Sequence, residues 1–236
     1  MRLTIEQLTK TYGNNTVLDI PALEIAPGEL VGIAGNNGAG KTTFLRLILD
    51  LIKASTGHIE LNGEKVNQSI AWKKNTGSFL DEGFLIGFLT PEEYLDFSAG
   101  TYGLSSSDVK ERLQEYTSFM NGEVLSSGKY IRQLSTGNKQ KTGIIGAMMV
   151  NPSLLLLDEP FNFLDPSSQI IIRNLLRDKN RLLGNTMLIS SHNINHLTGI
   201  CSRILLLEKG KIIKDISTSD PDRISEVEHY FNSRAE

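Results

Sequence analysis

Apolar positions along this chain follow two rhythms that alternate from end to end. Leu3, Ile5 and Leu8 predict an early strand, although their spacing is not strict alternation. Residues 29–34 form a short apolar run leading straight into Gly35, and Phe44, Leu45, Ile48, Leu49 and Ile52 then recur at helical spacing. A glycine-rich loop therefore stands between a strand and a helix. Further strands are predicted at 78–80, 154–157, 187–190 and 204–207, the last turning at Lys209-Gly210 into 211–216. Strands separated by helices imply an α/β fold with a largely parallel sheet covered on its faces.

The middle of the chain breaks this pattern. Segments 92–99, 108–120 and 137–150 have helical character with no clear strand between them. A helical subdomain over 83–150 is therefore expected, inserted into an α/β core made of 1–82 and 151–236. Another helix is predicted to open at Asp165-Pro166, with the aspartate as N-cap and proline in the first turn, and to close near Gly184. Residues 220–236 predict one polar helix with no further domain after it. No internal repeat or low-complexity segment is present, which excludes solenoids and coiled-coil arrays.

Composition narrows the class. Hydrophobic residues at 39% and charged residues at 22% of 236 describe a globular chain rather than a disordered one. A net charge of -3 gives no electrostatic reason to expect nucleic acid as a partner. The single cysteine, Cys201, excludes an internal disulfide, fits a reducing cytosol, and is expected as a small buried hydrophobe. No apolar run approaches the ~20 residues of a membrane helix, and the first residues hold no signal-type block. If the protein works at a membrane, another chain must do the spanning.

Gly35-Asn36-Asn37-Gly38-Ala39-Gly40-Lys41-Thr42 matches G-x-x-x-x-G-K-[ST] without a gap. Glycines let successive backbone N–H groups point at phosphate oxygens, and the helix that follows aims its positive end at the same anion. Lys41 supplies a cation for the β- and γ-phosphates, and the Thr42 hydroxyl can ligate Mg²⁺. A plain glycine-rich turn is the alternative, but strand and helix flank the loop as the motif requires.

The buried run 154–157 emerges into Asp158-Glu159. Asp158 is placed to hold Mg²⁺ directly or through water, and Glu159 to polarise a water against the γ-phosphate. Taken alone, the pair could equally be solvated carboxylates at a strand tip. His192 ends the next strand and could reach the same crevice. His58 and His196 lack such a setting and are expected to be structural or surface residues.

With these residues in place, the chain resembles the nucleotide-binding subunit of the ATP-binding cassette (ABC) family over nearly its whole length. The phosphate loop, the stretch Leu134-Ser135-Thr136-Gly137-Asn138-Lys139-Gln140-Lys141, the strand before Glu159, Leu164-Asp165 and His192 occur in the family's order. The resemblance implies a P-loop NTPase with a RecA-like core, an antiparallel β portion near the N-terminus and an inserted helical subdomain. It implies ATP and Mg²⁺ as cofactors, adenine stacking by Tyr12, and Thr43 among the nucleotide contacts. Glu159 would be the catalytic base, His192 a γ-phosphate sensor, and Asp165 part of a loop that communicates across a dimer. Ser135 and Gly137 would cap the ATP of a second ABC subunit, with a homodimer expected and a heterodimer open. The remaining partners would be separately encoded transmembrane permease subunits at the cytoplasmic face of the cell membrane.

Three departures from the family pattern stand out. Thr136 replaces a glycine and Asn138 a glutamine in the signature stretch. Asp81 takes the place of a glutamine that touches Mg²⁺, so a metal contact by Asp81 is expected, with a solvated loop carboxylate as the alternative. Two aromatics, Phe161 and Phe163, stand where smaller residues are usual. The resulting expectation is the ATPase subunit of a membrane transporter, with export favoured on the strength of the short C-terminal segment. The alternative is a soluble cassette ATPase serving, for example, cofactor or cluster assembly. A catalytically dead regulatory cassette is disfavoured because Lys41, Asp158, Glu159 and His192 are all present.

Overall fold

A computed structural model describes residues 1–125 and 128–232. The chain opens with β1 (Leu3–Tyr12), β2 (Asn15–Ile25) and β3 (Leu30–Ala34), then α1 (Lys41–Ile48), β4 (Thr56–Leu61), β5 (Glu64–Lys65) and β6 (Thr76–Phe79). Helices α2 (Pro91–Gly100), α3 (Ser106–Leu113), α4 (Thr117–Met120) and α5 (Thr136–Met148) follow. The chain then alternates through β7 (Leu154–Leu157), α6 (Pro166–Leu183), β8 (Thr186–Ser191), α7 (Ile194–Thr198) and β9 (Arg203–Glu208), ending with β10 (Lys211–Ser217) and α8 (Pro221–Asn232).

Two sheets result. One has the order β10-β9-β3-β8-β7-β6, parallel throughout except for the β9–β10 hairpin at its edge. The other, β2-β1-β4-β5, is antiparallel and packs over the first. Strand β7 explains why its sequence is apolar throughout rather than alternating. Leu154 and Leu156 join the cluster of α1 and the antiparallel sheet, whereas Leu155 and Leu157 join the cluster of the other helices, so both faces are buried.

The uneven spacing of Leu3, Ile5 and Leu8 has a cause in β1. Gln7 adopts a φ of 47°, the pairing with β4 shifts register between Glu6 and Thr9, and one extra residue restores Leu8 to the buried face. Gly57 faces this bulge, where a Cβ would come within 2.2 Å of the Gln7 carbonyl oxygen.

Between β6 and β7 the chain is helical, and its apolar side chains join the core rather than forming one of their own. Tyr116, Phe119, Ile144 and Ile145 pack in the same cluster as Leu155 and Ile189. The helical character expected over 108–120 is borne out as α3 and α4 joined by a 3-10 turn at Gln114–Tyr116. Its start moves. Ser105 and Asp108 form a reciprocal capping box, so the helix begins at Ser106 and Asp108 lies inside its first turn. Cys201 is buried as expected, and burial pushes its thiol well above the usual range. Among the described residues no helix is long and apolar enough to cross a membrane.

Candidate functional site

The loop after β3 turns into α1 at Gly40, whose φ of 108° would strain any residue with a side chain. Lys41, the first helical residue, is then folded back into the loop. Its ammonium donates to the Gly35 carbonyl at 2.6 Å and the Asn36 carbonyl at 3.3 Å, and lies 3.1 Å from Glu159 Oε1. A cavity of about 530 Å³ opens here. Residues 37–43 form one wall, Asn15, Thr16, Val17 and Lys209 another, and Glu159 closes the end.

Parallel pairing of β7 between β6 and β8 brings Glu159 to this cavity and Asp158 beside it. The Thr42 hydroxyl donates to Asp158 Oδ2 at 2.5 Å, and the Ser190 hydroxyl donates to Asp158 Oδ1. Burial raises the Asp158 carboxyl above the ordinary range, while the bonds from Ser190 and Thr42 pull the other way. Glu159 has a φ of 47°, and its N–H donates to Ser190 Oγ at 2.8 Å. The Glu159 carboxylate meets Lys41 with Oε1 and His192 with Oε2, accepting from the His192 backbone N–H at 3.2 Å and facing Nδ1 at 2.9 Å. His196 sits behind, its ring centroid 4.8 Å from that of Phe161, and burial depresses its pKa.

The residues present fit a Mg²⁺ ion. Among the described residues no cluster of three or more His, Cys, Asp or Glu could cage a metal alone. One hydroxyl beside one buried carboxylate is instead the sparse oxygen set of a cation shared with phosphates and water. Asp81 is held elsewhere. Its Oδ1 accepts from the Gly83 N–H at 2.8 Å, and its Oδ2 lies 3.6 Å from Arg46. Its loop still borders the site, because Leu80, Asp81, Asp158 and Glu159 line a neighbouring cavity.

Tyr12, Ser135 and Gly137 are not among the described residues lining the Lys41 cavity. Tyr12 is 53% exposed, with the Lys10 ammonium 4.6 Å above its ring. Ser135 caps α5, accepting from the Asn138 N–H at 3.2 Å. Asp165 caps α6 as expected, and hydrogen bonds from Ser167 and Ser168 hold its carboxyl well below the usual range.

The model of the ABC transporter family matches residues 18–162. The chain belongs to this family. An uncharacterized ABC transporter ATP-binding protein of Methanocaldococcus jannaschii is 32% identical over 90% of this chain and 76% of its own length. A probable sulfate/thiosulfate import ATP-binding protein of Chlorella vulgaris is 33% identical, over 91% of this chain and 90% of its own. Among solved structures, a dimeric ATP-binding cassette in a post-hydrolysis state, bound to ADP and Pi, matches with a TM-score of 0.82. It is 27% identical and the match covers 92% of this chain and 98% of that one. This ABC chain is thus an ATP-binding subunit with a P-loop NTPase fold.

Several site residues of the ABC cassette carry no signal in the sequence. Lys209 and the segment Asn15, Thr16 and Val17 reach the cavity through tertiary packing alone, where the Gly210 N–H donates to the Ala39 carbonyl at 2.9 Å. Ser190, which supports both acidic residues, could have been found from its place beside His192 at the end of a strand.

Proposed function

We propose that this chain is the Mg²⁺-dependent ATPase of a transporter, acting in pairs on separate membrane subunits. The observation that carries this is a chain of contacts at the cavity: Lys41, Thr42 and Glu159 line it, Asp158 accepts from Thr42, and His192 meets the Glu159 carboxylate. Lys41 and the loop N–H groups would hold the phosphates. Thr42 and Asp158 would hold Mg²⁺, which when bound neutralises charge on the phosphate oxygens. Asp81 would join them only by leaving Arg46. Glu159 would accept a proton from the attacking water, with His192 fixing the carboxylate's direction. Tyr12 is proposed for the adenine, and Ser135 and Gly137 for the ATP of the opposite subunit.

Two further features support the membrane partner. Leu51, Trp72, Leu80, Phe84 and Tyr102 line a largely apolar groove of about 240 Å³, suited to a short segment of a permease. Leu80 borders both this groove and the cavity holding Asp158 and Glu159, so a segment seated there touches the catalytic edge. The expectation of export finds no support among the relatives, and the import role in the name of the Chlorella vulgaris relative favours import instead. Phosphate release by the purified chain with Mg²⁺ and ATP tests the activity, and co-purification with a multi-span membrane protein tests the transport role. Release no faster than that of Lys41→Ala would overturn the first.

A further inference from the structure

Gln140 is buried on the second turn of α5, at 8% exposure, and the functional residues above do not account for it. Its Nε2 donates to the main-chain carbonyl of Glu159 at 3.1 Å. The same carbonyl accepts from the Asn162 N–H at 3.1 Å, which closes the turn after β7. Glu159 sits at a φ of 47°, a left-handed conformation that a residue with a Cβ keeps only where its surroundings hold it. The holding groups stand on both sides. Ser190 Oγ takes the Glu159 N–H at 2.8 Å, and Gln140 takes the carbonyl.

The helix that carries Gln140 also touches this loop one turn earlier. A Cβ on Gly137 would come within 2.8 Å of the Phe163 carbonyl oxygen, so glycine permits the approach. Positions 137 and 140 share one helical face, and through it α5 lies against the loop at both Phe163 and Glu159. From the other side, Gln169 on α6 donates to the Phe161 carbonyl at 3.0 Å and the Leu164 carbonyl at 3.3 Å. The loop behind the base is therefore fixed by two glutamines from two helices.

We propose that Gln140 is a positioning residue for hydrolysis, holding the strained Glu159 backbone so that its carboxylate is aimed. The proposal rests on Glu159 being the base. Ser135 and Gly137 open the same helix, so a shift of α5 as it engages a partner's nucleotide is passed through Gln140 to this chain's own base. Only the amide donor is needed for this. A methionine has a similar length and volume and cannot donate to a carbonyl.

The test compares steady-state ATPase of the full chain as wild type, Gln140→Met, Glu159→Gln and the double variant. Gln140→Met is expected to lower kcat about tenfold with KM for ATP and melting temperature near wild type. In the Glu159→Gln background the same change is expected to add nothing, and both Glu159→Gln forms should dimerise with ATP equally. An unchanged kcat in Gln140→Met overturns the proposal, as does an equal further loss in the double variant or a parallel loss of dimerisation. Should Gln140→Met not fold, Gln140→Glu, which lacks the donor when ionised, is read by the same criteria. Full turnover by Glu159→Gln would instead overturn the assignment of the base, and the role of Gln140 with it.

Discussion

The Lys41 ammonium and Glu159 Oε1 lie 3.1 Å apart, so the cation that would bind phosphate and the carboxylate that would activate water are in direct contact. A phosphate oxygen arriving at Lys41 must compete with that carboxylate. Removing the charge at Glu159 therefore frees Lys41 and disarms the base together. Glu159→Gln is expected to bind ATP at least as tightly as wild type while turnover falls by roughly 10²–10⁴. Nucleotide titration alongside phosphate release checks both halves.

Thr42 and Asp158 share a hydrogen bond of 2.5 Å, and both are assigned to the cation. Thr42→Ala removes one oxygen ligand and leaves Asp158 with the Ser190 bond. The Mg²⁺ concentration giving half-maximal ATPase should rise about tenfold, a change of about 1.4 kcal/mol in binding. ATP binding measured in excess EDTA should stay near wild type. An unchanged Mg²⁺ requirement would remove Thr42 from the metal site.

Asp165 predicts a pH dependence of stability. Its folded-state pKa is depressed, first by the hydrogen bond from Ser167 and then by those from Ser168. A depressed carboxyl contributes stability above its unfolded pKa of about 3.9, and that contribution is lost as pH falls through the folded value. Asp165→Ala should therefore melt below wild type at neutral pH, with the gap closing as pH drops below about 4. A gap independent of pH would mean that the cap, not its charge, is all that matters.

Much of this architecture is legible in the chain because its signals are local. The run 154–157 ending in two acids, and the glycine loop between strand and helix, are short motifs whose residue types dictate their own geometry. Strand β2 is not legible, because Pro21 interrupts it and its buried residues Leu18, Ile20, Leu23 and Ile25 skip the strict alternation. The break between α3 and α4 is equally hidden, since only tertiary packing shows why Tyr116 must turn inward. In the site, Lys41, Asp158, Glu159 and His192 declare themselves by type and order. Gln140 and Lys209 do not, because each acts through an approach between elements distant in sequence. Asp81 illustrates the limit of alignment. The resemblance implies a metal contact there, yet its side chain is engaged by Gly83 and Arg46.

The central claim is that two copies of this subunit, or this subunit and a close relative, complete each ATP site together. In the proposed arrangement Ser135 and Gly137, which do not line the cavity of Lys41, would cap the nucleotide of the opposite copy. The direct measurement is ATPase activity per molecule as a function of protein concentration at saturating Mg²⁺ and ATP. The account predicts an upward-curving rise toward a plateau, as monomers pair. Activity per molecule that is constant down to concentrations where sedimentation finds only monomer would contradict it.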